Sequence, residues 1–210
     1  MNGLYLVTPD WDDTQQLLRV TEAAFRGGAA LLQYRHKTAA PALRMQQASA
    51  LLQLCRDYQR PLIINDHLAL CLALEADGIH LGGTDTGVTA ARAALGQGKI
   101  IGASCYGSLE LAHAASASGA SYLAFGGFYP SRVKKYAVTT APDIVTHAKA
   151  SWPLPAVVIG GMTPTNAAPL VDAGANMVAA ISSVYLSADP EAAARAFTAL
   201  FNARACSGAQ

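Results

Sequence analysis

Three polar residues follow an apolar run at every second position: Gln33, Arg35 and Lys37. If that run is a β-strand, alternation places the three side chains on one side of the chain. The planar fork of an arginine can bind two phosphate oxygens, and a lysine adds a point charge. The spacing therefore predicts a site for a polyanion such as a diphosphate, although the same residues also suit a solvated charged loop.

Carboxylates follow the next two apolar runs. Asn65 and Asp66 come directly after one run, and Asp85 follows the other. Each aspartate by itself suits a helix cap. Two carboxylates on adjacent loops, beside Arg35 and Lys37, instead favour Mg²⁺, which takes one or two carboxylates together with waters and substrate phosphates.

Other groups that could hold an anion recur further along the chain. Ser104 ends one apolar run, and a glycine-started segment, 126–135, carries a serine and three cations that include Lys134. Gly160-Gly161 and Ser182-Ser183 follow the last two runs. Glycines let backbone N–H groups approach an anion closely. His80 lies inside an apolar run, and we interpret it as a residue that lines the core.

Eight short apolar runs, each followed by a helical pattern, must position these residues. The predicted strands are Leu4–Thr8, Ala30–Arg35, Pro61–Asn65, Gly78–Leu81, Lys99–Ser104, Tyr122–Gly126, Ala156–Gly160 and Met177–Ile181. Eight βα units predict an α/β fold, a single-domain (β/α)8 TIM barrel over residues 1–205, with 206–210 as a loose tail. A doubly wound open sheet is the alternative, but it usually has G-x-G-x-x-G after its first strand, where this chain has Thr8-Pro9-Asp10.

In such a barrel the active site lies at the carboxyl ends of the strands, where the loops after strands seven and eight often bind a phosphate. Apart from His80, the polar residues described above fall at or just after predicted strand ends. The mouth is therefore expected to hold one cationic, metal-assisted site for a diphosphate and one backbone-built site for a monophosphate. This pattern indicates two small phosphorylated substrates.

Composition limits the other partners. The 210 residues are 52% hydrophobic and 14% charged, with a formal net charge of +1. With no basic excess, neither nucleic acid nor a membrane surface is an expected partner, and no apolar run approaches the roughly 18 residues of a membrane span. The N-terminus lacks a signal-peptide pattern, and the four scattered cysteines suit a cytoplasmic protein. Barrels of this size often self-associate, so a homo-oligomer is left open.

At the level of motifs, the chain resembles the thiamine phosphate synthase family over nearly its whole length. Each motif is weak alone, but their order and spacing are specific. They are Leu4-Tyr5-Leu6-Val7-Thr8, Gln33-Tyr34-Arg35-His36-Lys37, Ile63-Ile64-Asn65-Asp66, Gly78-Ile79-His80-Leu81-Gly82 with Asp85, Ile101-Gly102-Ala103-Ser104, Ile159-Gly160-Gly161 and Ala180-Ile181-Ser182.

The resemblance implies a Mg²⁺-dependent transferase that joins a pyrimidine diphosphate to a thiazole phosphate. It implies that Asp66 and Asp85 hold Mg²⁺ and that two groups of residues bind the substrates. Arg35, Lys37, Ser104 and Lys134 are the implied catalytic residues. The pyrimidine diphosphate would contact Gln33, Arg35, Lys37, Asn65, Ser104 and Lys134, and the thiazole phosphate Ser131, Val133, Gly161, Ile181 and Ser182.

The chain departs from the family pattern in two places. Gly83-Thr84 stands where many members have Gln-Glu, and Val133 replaces a hydroxyl residue. Two other hypotheses remain. A thiazole tautomerase would use a similar barrel without the diphosphate substrate or the metal carboxylates, and a non-catalytic thiamine phosphate binder would bind without turnover.

Overall fold

Eight parallel strands close into a barrel. The computed structural model describes residues 1–82, 87–130 and 140–207. Each strand pairs with the next, and β1 pairs with β8. The strands are β1 Gly3–Val7, β2 Leu31–Tyr34, β3 Leu62–Asn65, β4 Gly78–Leu81, β5 Ile100–Tyr106, β6 Tyr122–Gly126, β7 Ala156–Ile159 and β8 Met177–Ala180. The predicted (β/α)8 TIM barrel is confirmed, and the open-sheet alternative is wrong because β1 and β8 are hydrogen-bonded.

Helices separate the strands and cover the outside of the barrel. They are α1 Thr14–Arg26, α2 Pro41–Asp57, α3 Leu68–Ala73, α4 Val88–Leu95, α5 Leu109–Ala117, α6 Asp143–Ser151, α7 Pro164–Asp172, α8 Ser182–Tyr185 and α9 Pro190–Ser207. Local chemistry explains where several begin. The Asp13 carboxylate accepts the Gln16 N–H at the start of α1, and Thr163 and Asn166 form a reciprocal capping box at α7.

Strand alternation divides the core into two layers. Along β1, Leu4 and Leu6 pack outward against the helices, whereas Tyr5 and Val7 join a separate cluster inside the barrel. The same alternation turns Gln33 of β2 toward Tyr5. Because the interior cluster is small and contains two tyrosines, the barrel carries polar groups at its centre as well as at its mouth.

Two elements extend beyond the predicted bounds. β5 continues to Tyr106, and its pairing with β6 shifts register between Ser104 and Tyr106. Such a bulge bends the strand and re-aims nearby side chains. α9 reaches Ser207, and the remainder of the predicted tail lies outside the described residues. No helix in the described part of the chain is both long and apolar enough to cross a membrane.

Candidate active site

Arg35 lies at the carboxyl end of β2, where neighbouring residues hold it in place. Its side chain is only 6% exposed, and Nη1 donates to Asp10 Oδ1 at 3.1 Å. The Thr8 hydroxyl accepts the Arg35 N–H and donates to the Arg35 carbonyl oxygen, both at 2.8 Å. The Arg35 Nε is buried without a hydrogen-bond partner in the described structure. A buried donor without a partner is costly, so this guanidinium is prepared for an additional acceptor such as a phosphate oxygen.

Asp10, in the β1–α1 loop, organises the cationic segment after β2. Its Oδ1 atom accepts from Arg35 Nη1 and, at 2.9 Å, from the Lys37 backbone N–H. The side chain of Lys37 is exposed. One carboxylate oxygen therefore sets the geometry of the segment that carries Arg35 and Lys37, two of the predicted diphosphate ligands.

We expect Asp10→Ala to raise the KM for a pyrimidine diphosphate substrate about tenfold, because the Arg35 and Lys37 segment loses a shared hydrogen-bond acceptor. Asp10→Asn keeps an acceptor oxygen and should stay within about threefold of wild type. Steady-state kinetics with each substrate varied in turn measures this, and the KM for the thiazole phosphate serves as the internal control. Equal effects of Asp10→Ala on both KM values would contradict a local role.

Asp66 follows β3 in an unusual backbone conformation. Its φ of 60° lies in the left-handed region, which a residue other than glycine rarely adopts without a structural or functional reason. The Oδ1 atom accepts the Gly82 N–H at 3.1 Å, and Oδ2 accepts from Asn65 Nδ2 at 2.6 Å. α3 begins after His67 without any side-chain cap, so the cap interpretation of Asp66 is not supported. The half-buried carboxylate is instead held between the ends of β3 and β4.

A chain of hydrogen bonds crosses the barrel interior from Gln33 to Ser104. Gln33 Nε2 donates to the Tyr5 hydroxyl at 2.8 Å, and the Tyr5 and Tyr122 hydroxyls lie 2.7 Å apart. Both ring nitrogens of His80 continue the chain, with Nδ1 2.9 Å from the Tyr122 hydroxyl and Nε2 2.9 Å from Ser104 Oγ. His80 therefore lines the barrel, as the sequence predicted, and contacts a predicted substrate ligand.

Burial keeps the two tyrosines of this hydrogen-bond chain in their neutral, protonated form. Desolvation raises the pKa of Tyr5 and of Tyr122 well above the usual tyrosine value. Both hydroxyls keep their protons at neutral pH. A narrow cavity of about 20 Å³ opens beside the chain, and Tyr5, Gln33, His80 and Ser104 are among its lining residues. The predicted ligands Gln33 and Ser104 thus share one cavity.

The ends of β7 and β8 carry the remaining predicted contacts. Gly160 and Gly161 have φ values of 117° and 62°. A Cβ on Gly161 would overlap the Pro130 carbonyl oxygen, so close packing against the segment after β6 also requires this glycine. Ile181 is buried, whereas Ser182 is half-buried at the start of α8. The Ser182 and Ser183 N–H groups lie in the first turn, where helix N–H groups have no intrahelical partner.

Four predicted site residues, Asp85, Ser131, Val133 and Lys134, lie outside the described residues, as do Gly83 and Thr84. Within the described ranges, which leave out Asp85, no group of three or more His, Cys, Asp or Glu side chains could hold a metal. Thr140 is the first residue described after position 130. It lies at the barrel mouth, where its N–H donates to the Gly127 carbonyl oxygen at 2.8 Å.

The structure places all nine predicted site residues that it describes at the same end of the barrel. They are Gln33, Arg35, Lys37, Asn65, Asp66, Ser104, Gly161, Ile181 and Ser182, all at or near the carboxyl ends of strands. Sequence analysis gave no role to Thr8, Asp10, Tyr5 or Tyr122. The tyrosines could have been noticed as polar groups at inward positions of β1 and β6, but Asp10 carries no local signal, since its partners are 25 and 27 residues away.

The closed barrel, with the buried Arg35 and the half-buried Asp66 carboxylate at the carboxyl ends of its strands, defines a (β/α)8-barrel enzyme. A family model described as "Thiamine monophosphate synthase" matches residues 4–184. The chain belongs to this family, and its curated relatives described next are thiamine-phosphate synthases, which are transferases.

Similar proteins cover nearly the whole chain. A thiamine-phosphate synthase of Janthinobacterium sp. (strain Marseille) is 66% identical over 201 residues, which cover 96% of this chain and 97% of the relative. A thiamine-phosphate synthase of Methylobacillus flagellatus is 51% identical over 203 residues, or 96% of each chain. The solved thiamine phosphate pyrophosphorylase of Pyrococcus furiosus superposes with a TM-score of 0.85 at 29% identity and covers 96% of both chains.

Proposed function

We propose that this chain condenses 4-amino-2-methyl-5-(diphosphooxymethyl)pyrimidine with 4-methyl-5-(2-phosphooxyethyl)thiazole to give thiamine phosphate and diphosphate. The observation that carries the proposal is the buried Arg35, which is held by Thr8 and Asp10 and has an unpartnered Nε. The Nε atoms of Arg44 and Arg60 are also buried without a recorded partner, but Arg35 alone of the three lies directly after the carboxyl end of a barrel strand, where the active site of this fold lies. The family to which the chain belongs supports the choice of substrates.

In this proposal the pyrimidine diphosphate lies between the β2 end and the central hydrogen-bond chain. Arg35 and Lys37 bind the diphosphate, together with Lys134 from the segment after β6. Gln33 and Ser104 face the cavity beside Tyr5 and His80, where they can contact the pyrimidine ring. Asn65 holds the Asp66 carboxylate through its amide N–H group. These assignments account for why cations lie on one side of the mouth and neutral donors and acceptors lie at its centre.

Asp66 is the described residue that is suited to bind a Mg²⁺ ion, which takes one or two carboxylates together with waters and substrate phosphates. Asp66 offers a half-buried carboxylate whose recorded donors, Asn65 and Gly82, are both neutral. Its left-handed backbone is the kind of strain that functional sites retain. Asp66 and Asp85 would hold the ion in this proposal, and a bound Mg²⁺ would neutralise negative charge on the diphosphate.

The proposed reaction breaks the C–O bond between the pyrimidine methylene carbon and the diphosphate. The bonding electron pair leaves with the diphosphate oxygen, and a stabilised pyrimidine cation remains. The lone pair of the thiazole nitrogen then forms the new C–N bond. Since that nitrogen carries no proton, no general base is needed. Arg35, Lys37 and Lys134 stabilise the charge that develops on the leaving group, which is the larger electrostatic demand of the step.

The thiazole phosphate is proposed to bind at the ends of β7 and β8. Gly161, Ile181 and Ser182 would contact it there, with Ser131 and Val133 from the segment after β6. The N–H groups of the first turn of α8 and the Ser182 hydroxyl are donors suited to phosphate oxygens. The two phosphate sites thus use different chemistry, cationic side chains for one and neutral donors for the other.

Ser182→Ala is expected to raise the KM for the thiazole phosphate about tenfold, the loss of roughly one hydrogen bond to a charged group, with an unchanged KM for the pyrimidine diphosphate. Ser183→Ala is the matched control, because it removes the same hydroxyl from the next residue of α8. Steady-state kinetics on both variants measures the difference. The same KM change in both variants would argue against a specific contact from Ser182.

The decisive assay mixes the purified chain with both substrates, in Mg²⁺ or in EDTA, and follows diphosphate and thiamine phosphate. Equimolar release of the two products over many turnovers, only with Mg²⁺, is the expected result. A thiazole tautomerase would release no diphosphate, and a non-catalytic binder would form neither product. Either outcome would contradict the proposal.

The proposal includes two small phosphorylated substrates as the partners and a cytoplasmic location. The described cysteines Cys55, Cys71 and Cys105 are unpaired and buried, which agrees with a reducing compartment. Nucleic acid and membranes are not part of the proposal, and the question of a homo-oligomer stays open.

A further inference from the structure

The hydrogen-bond chain inside the barrel connects the two residues proposed to meet the pyrimidine, and its central member has no assigned role. Tyr122 is fully buried, and its hydroxyl touches both Tyr5 and His80. A Cβ on Gly102 of β5 would overlap the Tyr122 ring. The Tyr122 ring therefore occupies the space that a side chain at position 102 would need. A phenylalanine at position 122 would fill that space equally well but would lack the hydroxyl.

The number of available protons determines which group donates and which accepts at each step of this hydrogen-bond chain. The Tyr5 oxygen accepts from Gln33 Nε2, and the only other contact recorded for the Tyr5 hydroxyl in the described structure is the Tyr122 oxygen. Each phenol has a single proton. Because the Tyr5 proton needs an acceptor in this buried place, Tyr5 donates to Tyr122, and Tyr122 must donate its own proton to His80 Nδ1.

The same reasoning fixes the tautomer of His80 and the hydrogen bond that it makes with Ser104. With Nδ1 acting as an acceptor, His80 has its ring proton on Nε2 and donates it to Ser104 Oγ. The Ser104 hydroxyl proton then remains available on the side of the cavity. At the other end, Gln33 Nε2 donates to the Tyr5 hydroxyl, and the side-chain oxygen Oε1 remains available.

We propose that Tyr122 is a positioning residue that orients this chain, so that Gln33 offers an acceptor and Ser104 offers a donor to the same heteroaromatic ring. A ring with an amino donor beside a ring-nitrogen acceptor complements that pair. The inference rests on the proposed function for the identity of the ring. The direction of the hydrogen bonds rests on the structure alone.

The direction can be measured without any variant. In protein with ¹⁵N-labelled histidine, long-range ¹H–¹⁵N spectra report which ring nitrogen bears the proton, and loss of one signal set in His80→Asn assigns His80 among the five histidines. The expected state is a protonated Nε2 and an unprotonated Nδ1. A proton on Nδ1 would mean that the chain runs in the opposite direction and would overturn the proposal.

Tyr122→Phe tests the role of the hydroxyl, and Tyr185→Phe is its matched control. Tyr185 is also buried, and its hydroxyl lies 2.8 Å from Thr21 Oγ1, outside the barrel between α1 and α8. Tyr122→Phe should lower kcat about tenfold, leave the KM for the thiazole phosphate unchanged and convert His80 to mixed tautomers. Tyr185→Phe should change neither kcat nor the tautomer.

Equal kcat values for the two variants, or an unaltered His80 spectrum in Tyr122→Phe, would overturn the positioning role. The failure of the proposed function would look different, since wild type would then make no thiamine phosphate. In that case an Nε2 proton that is lost in Tyr122→Phe would still establish the direction of the chain.

Discussion

Asp66→Asn is expected to lower kcat for thiamine phosphate formation by about 100- to 1,000-fold while the fold is kept. The amide retains one oxygen for the Gly82 N–H but loses the charge that a divalent cation requires. Asparagine is the informative replacement because it tolerates the left-handed backbone at this position, whereas alanine would add strain of its own. Kinetics at saturating substrate, with thermal unfolding of the same sample, measures both effects.

Asp172→Asn is the matched control for this change. Asp172 is an exposed carboxylate at the last residue of α7, remote from the carboxyl ends of the strands. It should retain the wild-type kcat. Activity of Asp66→Asn within a few fold of wild type would show that the carboxylate charge is not required. The loss of activity should also not be recovered by raising the Mg²⁺ concentration within the range that saturates the wild type.

Arg35→Met is expected to lower kcat/KM for the pyrimidine diphosphate by about 100- to 1,000-fold, because the developing charge on the diphosphate loses its buried cationic donor. The melting temperature should not fall, since methionine fills a buried site that otherwise holds a charged group with an unpartnered Nε. Arg35→Lys should recover only part of the activity, because an ammonium cannot reproduce the planar fork.

The control for Arg35 is Arg195→Ala. Arg195 is exposed on α9, where its Nη2 lies 2.7 Å from Glu191 Oε1. Such surface ion pairs contribute little, so activity and melting temperature should both stay near the wild-type values. If Arg35→Met destabilises the protein strongly while the remaining folded fraction is fully active, Arg35 has a structural role and the diphosphate assignment is wrong.

Much of the fold was predictable because parallel strands that are covered on both faces are locally apolar and short. Predicted and observed bounds agree for Gly78–Leu81 and Tyr122–Gly126 and differ by a residue or two elsewhere. The largest difference is in β5, which reaches Tyr106. A bulge there depends on pairing with β6, and no periodicity within one strand reports the register of its neighbour.

The site residues were predicted from their position at the ends of the strands, and the alternation of apolar runs with helical patterns locates those ends in the sequence. Residues that hold those side chains in place were not visible in the same way. Thr8 and Asp10 resemble ordinary loop residues until the closed barrel brings β1 beside β2. The structure was also needed to reject the cap interpretation of Asp66, because the carboxylate binds the Gly82 N–H at the end of β4 and does not cap α3.

The amino-acid sequence by itself determined the barrel, its eight strands and the side of the barrel on which chemistry can occur, because alternation and strand-end polarity are local properties of the chain. Only the tertiary structure decided which polar groups meet. Gln33, Tyr5, Tyr122, His80 and Ser104 come from five different strands, and their connection depends on strand register and barrel closure. Hydrogen bonds form over about 3 Å, so they are set by three-dimensional proximity, which spacing along the chain does not contain.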